Sequence, residues 1–197
     1  MIKKIDIIAL IALIIFSIGI VSKEFENDLY YTIAVGEQMN KTGIDMKEHL
    51  SWHENLRYEY PHWLFDKITY SCYKVAGFDG IYIMVILLTI ILGMSIYICL
   101  YKSGINKIIS IITAIITLYL MQMYMVARAQ IFTYILFLLE IYCIEKFLKN
   151  KQKKYAIFLF IISVLIANLH CATWPMFFIF FIPYIFEYIF SFLFYLI

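Results

Sequence analysis

The chain has 197 residues, 64% of them hydrophobic and 15% charged, with a mean hydropathy of +0.85. Soluble domains are closer to half apolar and a quarter charged, so this balance excludes an ordinary soluble protein and predicts a polytopic membrane chain. The net charge of +2 gives no basis for a nucleic-acid partner, because the basic residues sit in short stretches between apolar runs, where they set membrane orientation instead.

Apolar runs of spanning length occur at about 5–22, 82–101, 108–126, 130–147, 155–172 and 176–197. Backbone groups in lipid must be satisfied within the segment, so each run is expected to be a helix. The expectation is an all-α, multi-pass membrane domain covering 1–197, with about six transmembrane helices. The first run begins with Lys3 and Lys4 but lacks a small-x-small cleavage site at Ile20-Val21-Ser22, so it reads as an uncleaved first helix.

After that run comes Glu26-Asn27-Asp28-Leu29-Tyr30-Tyr31-Thr32-Ile33-Ala34-Val35-Gly36. Glu26 and Asp28 are paired acids at the lip of the bilayer. They suit the holding of a divalent cation such as Mg²⁺ or Mn²⁺, or removal of a proton from an acceptor hydroxyl. From spacing alone Asp28 reads first as the cap of a short surface helix, and the two roles are compatible, because a cap fixes the position of its carboxylate.

The loop 24–80 is the only long one, and it holds 10 of the 14 acidic residues and three of the four histidines. Two surface helices are expected in it, near 29–41 and 61–76, stopped by Gly43 and Gly77, with Pro61 opening the second. Between them, Trp52 to Tyr58 is expected to turn between two short strands. In the second helix Leu64, Ile68, Cys72 and Val75 form an apolar stripe, with Asp66, Ser71 and Lys74 opposite, as in a helix lying flat on a membrane. His49 and His53 are four apart, but the stretch does not read as a helix that would present them to one metal.

Lysines then fall at 102 and 107 and at 146, 149, 151, 153 and 154. With Lys3 and Lys4 they lie on one side of six alternating spans, which predicts a cytoplasmic N-terminus and an outward-facing loop 24–80. The other outward turns are short. Ala127-Arg128-Ala129-Gln130 carries the only arginine outside the long loop, and Asn168-Leu169-His170-Cys171-Ala172-Thr173-Trp174-Pro175 carries the fourth histidine. Glu140 and Glu145 are expected to pair with inner lysines, and Glu187 is a functional suspect at mid-membrane depth. The four cysteines show no framework spacing and read as small apolar residues, with a Cys72–Cys171 bridge the one pairing left open. Phe177 to Ile197 is apolar to the last residue, and the expectation is that the sequence is the front part of a longer protein.

These features together resemble the integral-membrane glycosyltransferases of the GT-C superfamily, in their bacterial branch related to protein O-mannosyltransferases and to the lipid A aminoarabinose transferase. The likeness rests on Glu26-Asn27-Asp28-Leu29-Tyr30-Tyr31, Tyr60-Pro61-His62-Trp63-Leu64, Ala127-Arg128-Ala129-Gln130 and Ile166-Ala167-Asn168-Leu169-His170. They are similar to the family's Asp-x-Asp-x-Trp-Trp, His/Trp, Arg-Pro-Gln and Trp-Ala-Asn-x-His-Gly segments and occur in the same order. The chain departs from the pattern in having Glu26 for the first Asp, tyrosines for tryptophans, and Cys171-Ala172 where glycines are common. The family also has roughly twice as many spans.

The resemblance implies transfer of a sugar from a polyprenyl-phosphate carrier to a cell-envelope acceptor on the outer face. Asp28 would be the base, with Glu26 assisting or sharing a metal. Arg128 would hold the phosphate, and His62, His170 and Asn168 would line the substrate. Plainer roles stand beside these: Arg128 snorkelling to headgroups, His62 and His170 bonding at helix ends, Trp63 and Trp174 anchoring at the interface. The alternative functions are a non-catalytic scaffold or transporter-like protein, or an inactive glycosyltransferase fragment. Transporters concentrate polar groups at the midplane, whereas here they concentrate at one surface.

Overall fold

The computed structural model describes residues 4–53 and 56–196. It is all-helical, as expected: α1 (Lys4–Gly19), α2 (Asn27–Thr42), α3 (Trp63–Lys102), α4 (Lys107–Leu120), α5 (Gln130–Asn150), α6 (Lys153–Leu169), α7 (Trp174–Ile179) and α8 (Ile182–Leu196). In place of two strands around Trp52, there is one antiparallel bridge, Lys47 with Arg57, beside the bonds Glu48 N–H to Leu56 C=O and Tyr58 N–H to Met46 C=O. Residues 54–55 of that turn, and Lys3, lie outside the described residues.

The centre of the bundle is where α1, α3 and α4 meet. Leu13, Leu92 and Leu118 are essentially inaccessible there. Gly93 permits the approach, since a Cβ at that position would stand 2.9 Å from Leu118 Cδ1 and 3.3 Å from Ser17 Oγ. Ser17 itself donates to the Leu13 carbonyl at 2.8 Å, so its hydroxyl is satisfied without leaving the helix.

The second surface helix and the second apolar run are one element. At about 1.5 Å per residue, the 40 residues of α3 extend to about 60 Å, twice a bilayer's hydrocarbon thickness. Ala76 and Gly77 leave helical geometry, Gly77 with φ +60, and break α3 into an N-terminal and a C-terminal portion. Gly77 therefore marks a kink and not a stop, because the apolar residues after it resume the helix at once.

The N-terminal portion of α3 buries Phe65, Asp66 and Thr69 against α2, while Val75 is 87% exposed. The expected faces hold in part: Leu64, Ile68 and Cys72 pack partly buried against the core while Ser71 and Lys74 are exposed, but Asp66 is covered by α2 and Val75 is not buried. The close crossing comes from Gly36, where a Cβ would lie 2.5 Å from both the Asp66 carbonyl oxygen and Tyr70 Cβ. Gly43, with φ +76, ends α2 as expected.

α5 and α6 pack against each other and against α3, and α7 and α8 lie at the edge. Two helical stretches are long and apolar enough to cross a membrane, Trp63–Lys102 and Cys171–Ser191, and Ile7–Gly19 and Lys107–Leu120 are shorter apolar helices. The last run bends at Phe180–Phe181 between α7 and α8. The fifth run closes at Leu169, so His170 belongs to the connection that follows it.

Glu140 and Glu145 differ from expectation. Glu140 is completely buried with neither oxygen bonded among the described residues, because it faces the bundle and not the lysines. Glu145 accepts from the Tyr184 hydroxyl at 3.1 Å. Glu187 is exposed on α8. Cys72, Cys99, Cys143 and Cys171 are free thiols, so the Cys72–Cys171 bridge is absent.

Candidate functional site

Glu26 is extended, with φ −78 and ψ 157, and its carbonyl starts α2 by accepting from the Leu29 N–H at 3.0 Å. Leu29 is buried in the core and fixes this turn against the bundle. No side chain caps the helix. Asp28 lies inside the first turn, two residues beyond the capping position held by Glu26, so the expected cap is corrected: its carboxylate is turned toward another segment. A carboxylate there is also favoured by the positive end of the helix.

That other segment is the connection between α4 and α5. After a turn of 3-10 helix at Gln122–Tyr124, Met125 plugs the core and Ala129 is buried at the start of α5. Met125 Sδ accepts from the Thr89 hydroxyl at 3.7 Å. With its neighbours held, Arg128 projects between them toward α2. Its guanidinium bonds the Asp28 carboxylate at 3.1 Å and pairs with Glu26 as well. Arg128 Nε is buried and has no partner among the described residues.

The start of α3 and the end of α6 are tied together. The Trp63 indole N–H donates to Asn168 Oδ1 at 2.7 Å, and the Cys171 N–H donates to the Pro61 carbonyl at 3.0 Å. Next to this tie, His62 Nδ1 lies 2.7 Å from Asp66 Oδ1, one helical turn on, and the Asp66 carboxylate holds the imidazole above its ordinary range. His170 Nδ1 lies 3.0 Å from the Thr133 hydroxyl of α5, and burial, with His62 nearby, holds this second imidazole below its ordinary range.

Asp28, Thr32, His62, Arg128, Gln130 and His170 line one cavity of about 180 Å³. Four separate segments, α2, the start of α3, the loop before α5 and the turn after α6, thus deliver polar groups to one place. Glu26 sits beside it in a smaller recess with Asp28 and Arg128. Asn168 does not line the cavity; its amide is engaged by Trp63 and by the Val164 carbonyl at 2.6 Å. Asp66 and Thr133 were not among the expected site residues. The i, i+4 spacing of His62 and Asp66 was a usable signal once Pro61 opened the helix. Nothing local pointed to Thr133.

With Arg128 on both acids, the oxygens of Glu26 and Asp28 already serve a cation. Among the described residues no group of three His, Cys, Asp or Glu side chains is placed to hold a metal ion. His49 Nε2 bonds Asp45 Oδ2 at 2.7 Å, and His53 stacks on Trp52.

No known protein family, curated protein or solved structure matches this chain.

Proposed function

We propose that this chain is the GT-C-like part of a membrane glycosyltransferase, one that moves a sugar from a polyprenyl-phosphate carrier to an acceptor on the outer face of the cell membrane. The single observation that carries the reading is the gathering of Asp28, Arg128, His62 and His170 around one cavity, on the end of the bundle away from the lysine clusters.

In this reading six helical passes place the N-terminus inside and the cavity outside. The exposure of apolar faces along the helices supports it. Ile8 of α1, Leu120 of α4 and Phe160 of α6 are 66%, 73% and 70% exposed, and large contiguous apolar surfaces call for lipid or another apolar partner. The N-terminal portion of α3 and all of α2 then rest at the membrane surface.

The reaction is a displacement at the anomeric carbon. The acceptor hydroxyl gives its proton to the Asp28 carboxylate, and its oxygen forms the new bond to that carbon. The bond from the carbon to the carrier's phosphate oxygen breaks, and the phosphate leaves with the electron pair. Arg128 meets the charge that develops there, since a guanidinium matches phosphate geometry. Binding the phosphate draws Arg128 away from Asp28 and leaves that carboxylate to the acceptor. Asp28 is suited to such an exchange because its side chain is 77% exposed. A divalent cation would enter only in Arg128's place, against both acids.

A second reading is favoured by the same ion pair: Arg128 clasps α2 to the loop before α5 and does no chemistry, as in a scaffold. Release of polyprenyl phosphate from a labelled sugar-lipid donor, measured with the protein in membranes, separates the two. The Asp28→Asn variant is expected to lose about 10²–10⁴-fold in release, the usual worth of a positioned base, with its folding intact. Undiminished release assigns the residues to the clasp alone.

A further inference from the structure

At the other end of the bundle lies a cavity of about 420 Å³ between the end of α3 and the last turns of α5. Lys102, Lys146 and Lys149 line it with Ser103, Tyr142 and Glu145. Lys102 and Lys149 form no ion pair with a carboxylate among the described residues, and Lys146 stands 5.4 Å over the Tyr142 ring. The one acid, Glu145, is engaged by the Tyr184 hydroxyl of α8. Three ammonium groups around one recess favour an anion with several oxygens.

Leu138 and Ile141 also line a second, apolar groove of about 240 Å³, which continues past Ile96, Leu92 and Phe137 to Phe180. A cationic pocket and an apolar groove thus lie side by side, sharing Leu138 and Ile141 as lining. That sequence of surfaces matches one molecule with a charged head and a hydrocarbon tail.

We infer that these adjacent cavities together hold an anionic phospholipid of the inner leaflet, its phosphate among Lys102, Lys146 and Lys149 and one acyl chain along Ile96, Leu92 and Phe137. Charge complementarity selects the occupant: a zwitterionic lipid gains little from three lysines, and a protein segment or second copy would need a run of acids next to a run of apolar residues. The inference rests on the membrane reading above, but not on glycosyl transfer. Lys102 lies 25 residues beyond the Gly77 kink, roughly 40 Å at helical rise, whereas His62 and Asp66 lie before that kink, and so the site is separate from the Asp28 cavity.

The test uses the full chain in nanodiscs of equal phosphatidylglycerol and phosphatidylcholine, with retained lipid counted by native mass spectrometry after release. Phosphatidylglycerol should be kept in preference. Replacing Lys102, Lys146 and Lys149 with Gln should weaken retention about fivefold for each lysine and ~100-fold together. Ile141→Trp, which crowds the shared lining and keeps the lysines, should lose retention as well. Equal retention of both lipids, unchanged retention in the triple variant, or undisturbed binding in Ile141→Trp each overturns the inference. So does displacement of the lipid by millimolar inorganic phosphate, which would mark a free-anion site. A cysteine placed at Lys151 and labelled from each side reports orientation in the same preparations. Labelling from outside removes the proposed topology, whereas lipid loss with inside labelling bears on the pocket alone.

Discussion

Arg128 and Asp28, a hundred residues apart in the chain, are joined by a 3.1 Å hydrogen bond between guanidinium and carboxylate. The bond links the first turn of α2 to the loop before α5, and Glu26 shares the same cation. Both partners are substantially exposed, so the pair contributes only about 0–1 kcal/mol to folding. Its consequence is positional: it holds a carboxylate and a guanidinium at one cavity.

The first prediction follows from that pairing. Arg128→Lys keeps one positive charge and loses the planar fork, and release of polyprenyl phosphate should fall about 10-fold. Arg128→Ala removes the charge and should cost about 10²–10³-fold. Thermal unfolding should change little in either case. A large loss of stability with proportionate loss of activity would show the pair to be a clasp.

Glu26 tests the place of a metal. With Arg128 on both acids, treatment with a chelator is expected to leave release unchanged, and Glu26→Gln to reduce it modestly. Loss of release on chelation, restored by added Mn²⁺, would reassign Glu26 and Asp28 as metal ligands.

Gly36 controls the seat of α2. Because a Cβ there meets the Asp66 carbonyl and Tyr70 Cβ at 2.5 Å, both within the α3 helix, Gly36→Ala must push the helices apart. The expected cost is about 1–3 kcal/mol, read as a lower unfolding midpoint in detergent. Activity should fall with it, since α2 carries Asp28. An unchanged midpoint would mean that α2 is free to shift along α3.

The His62–Asp66 pair gives stability a pH dependence of defined sign. The folded-state pKa of His62 is raised, chiefly by its bond to Asp66, above an ordinary value of 6.5, with Asp28 acting in the same direction. The contribution is therefore complete below pH 6.5 and disappears as pH rises through the raised value. Unfolding midpoints of the wild type should decline across that window, and the decline should be absent in His62→Gln. An identical decline in both would place its origin elsewhere.

Much of the architecture was legible from local pattern. The long apolar runs had to be helical, Gly43 had to end α2, and the alternation of lysines with Glu26, Asp28, Arg128 and His170 along the chain already sorted the two ends of the bundle. These are properties of short stretches, set by backbone hydrogen bonding, glycine's backbone freedom and the placement of charge. Pairing was not legible. Whether Asp28 capped its own helix or reached Arg128 depended on where Met125 and Ala129 anchored a loop a hundred residues later. Asp66 looked like a solvent-facing residue because an amphipathic helix shows which residues share a face but not what covers that face. Only the close crossing at Gly36 brought α2 over that side, burying the acid and leaving His62 as its hydrogen-bond partner. The sequence by itself determined the helices and the residues available at each end of them; tertiary packing decided which of those residues met.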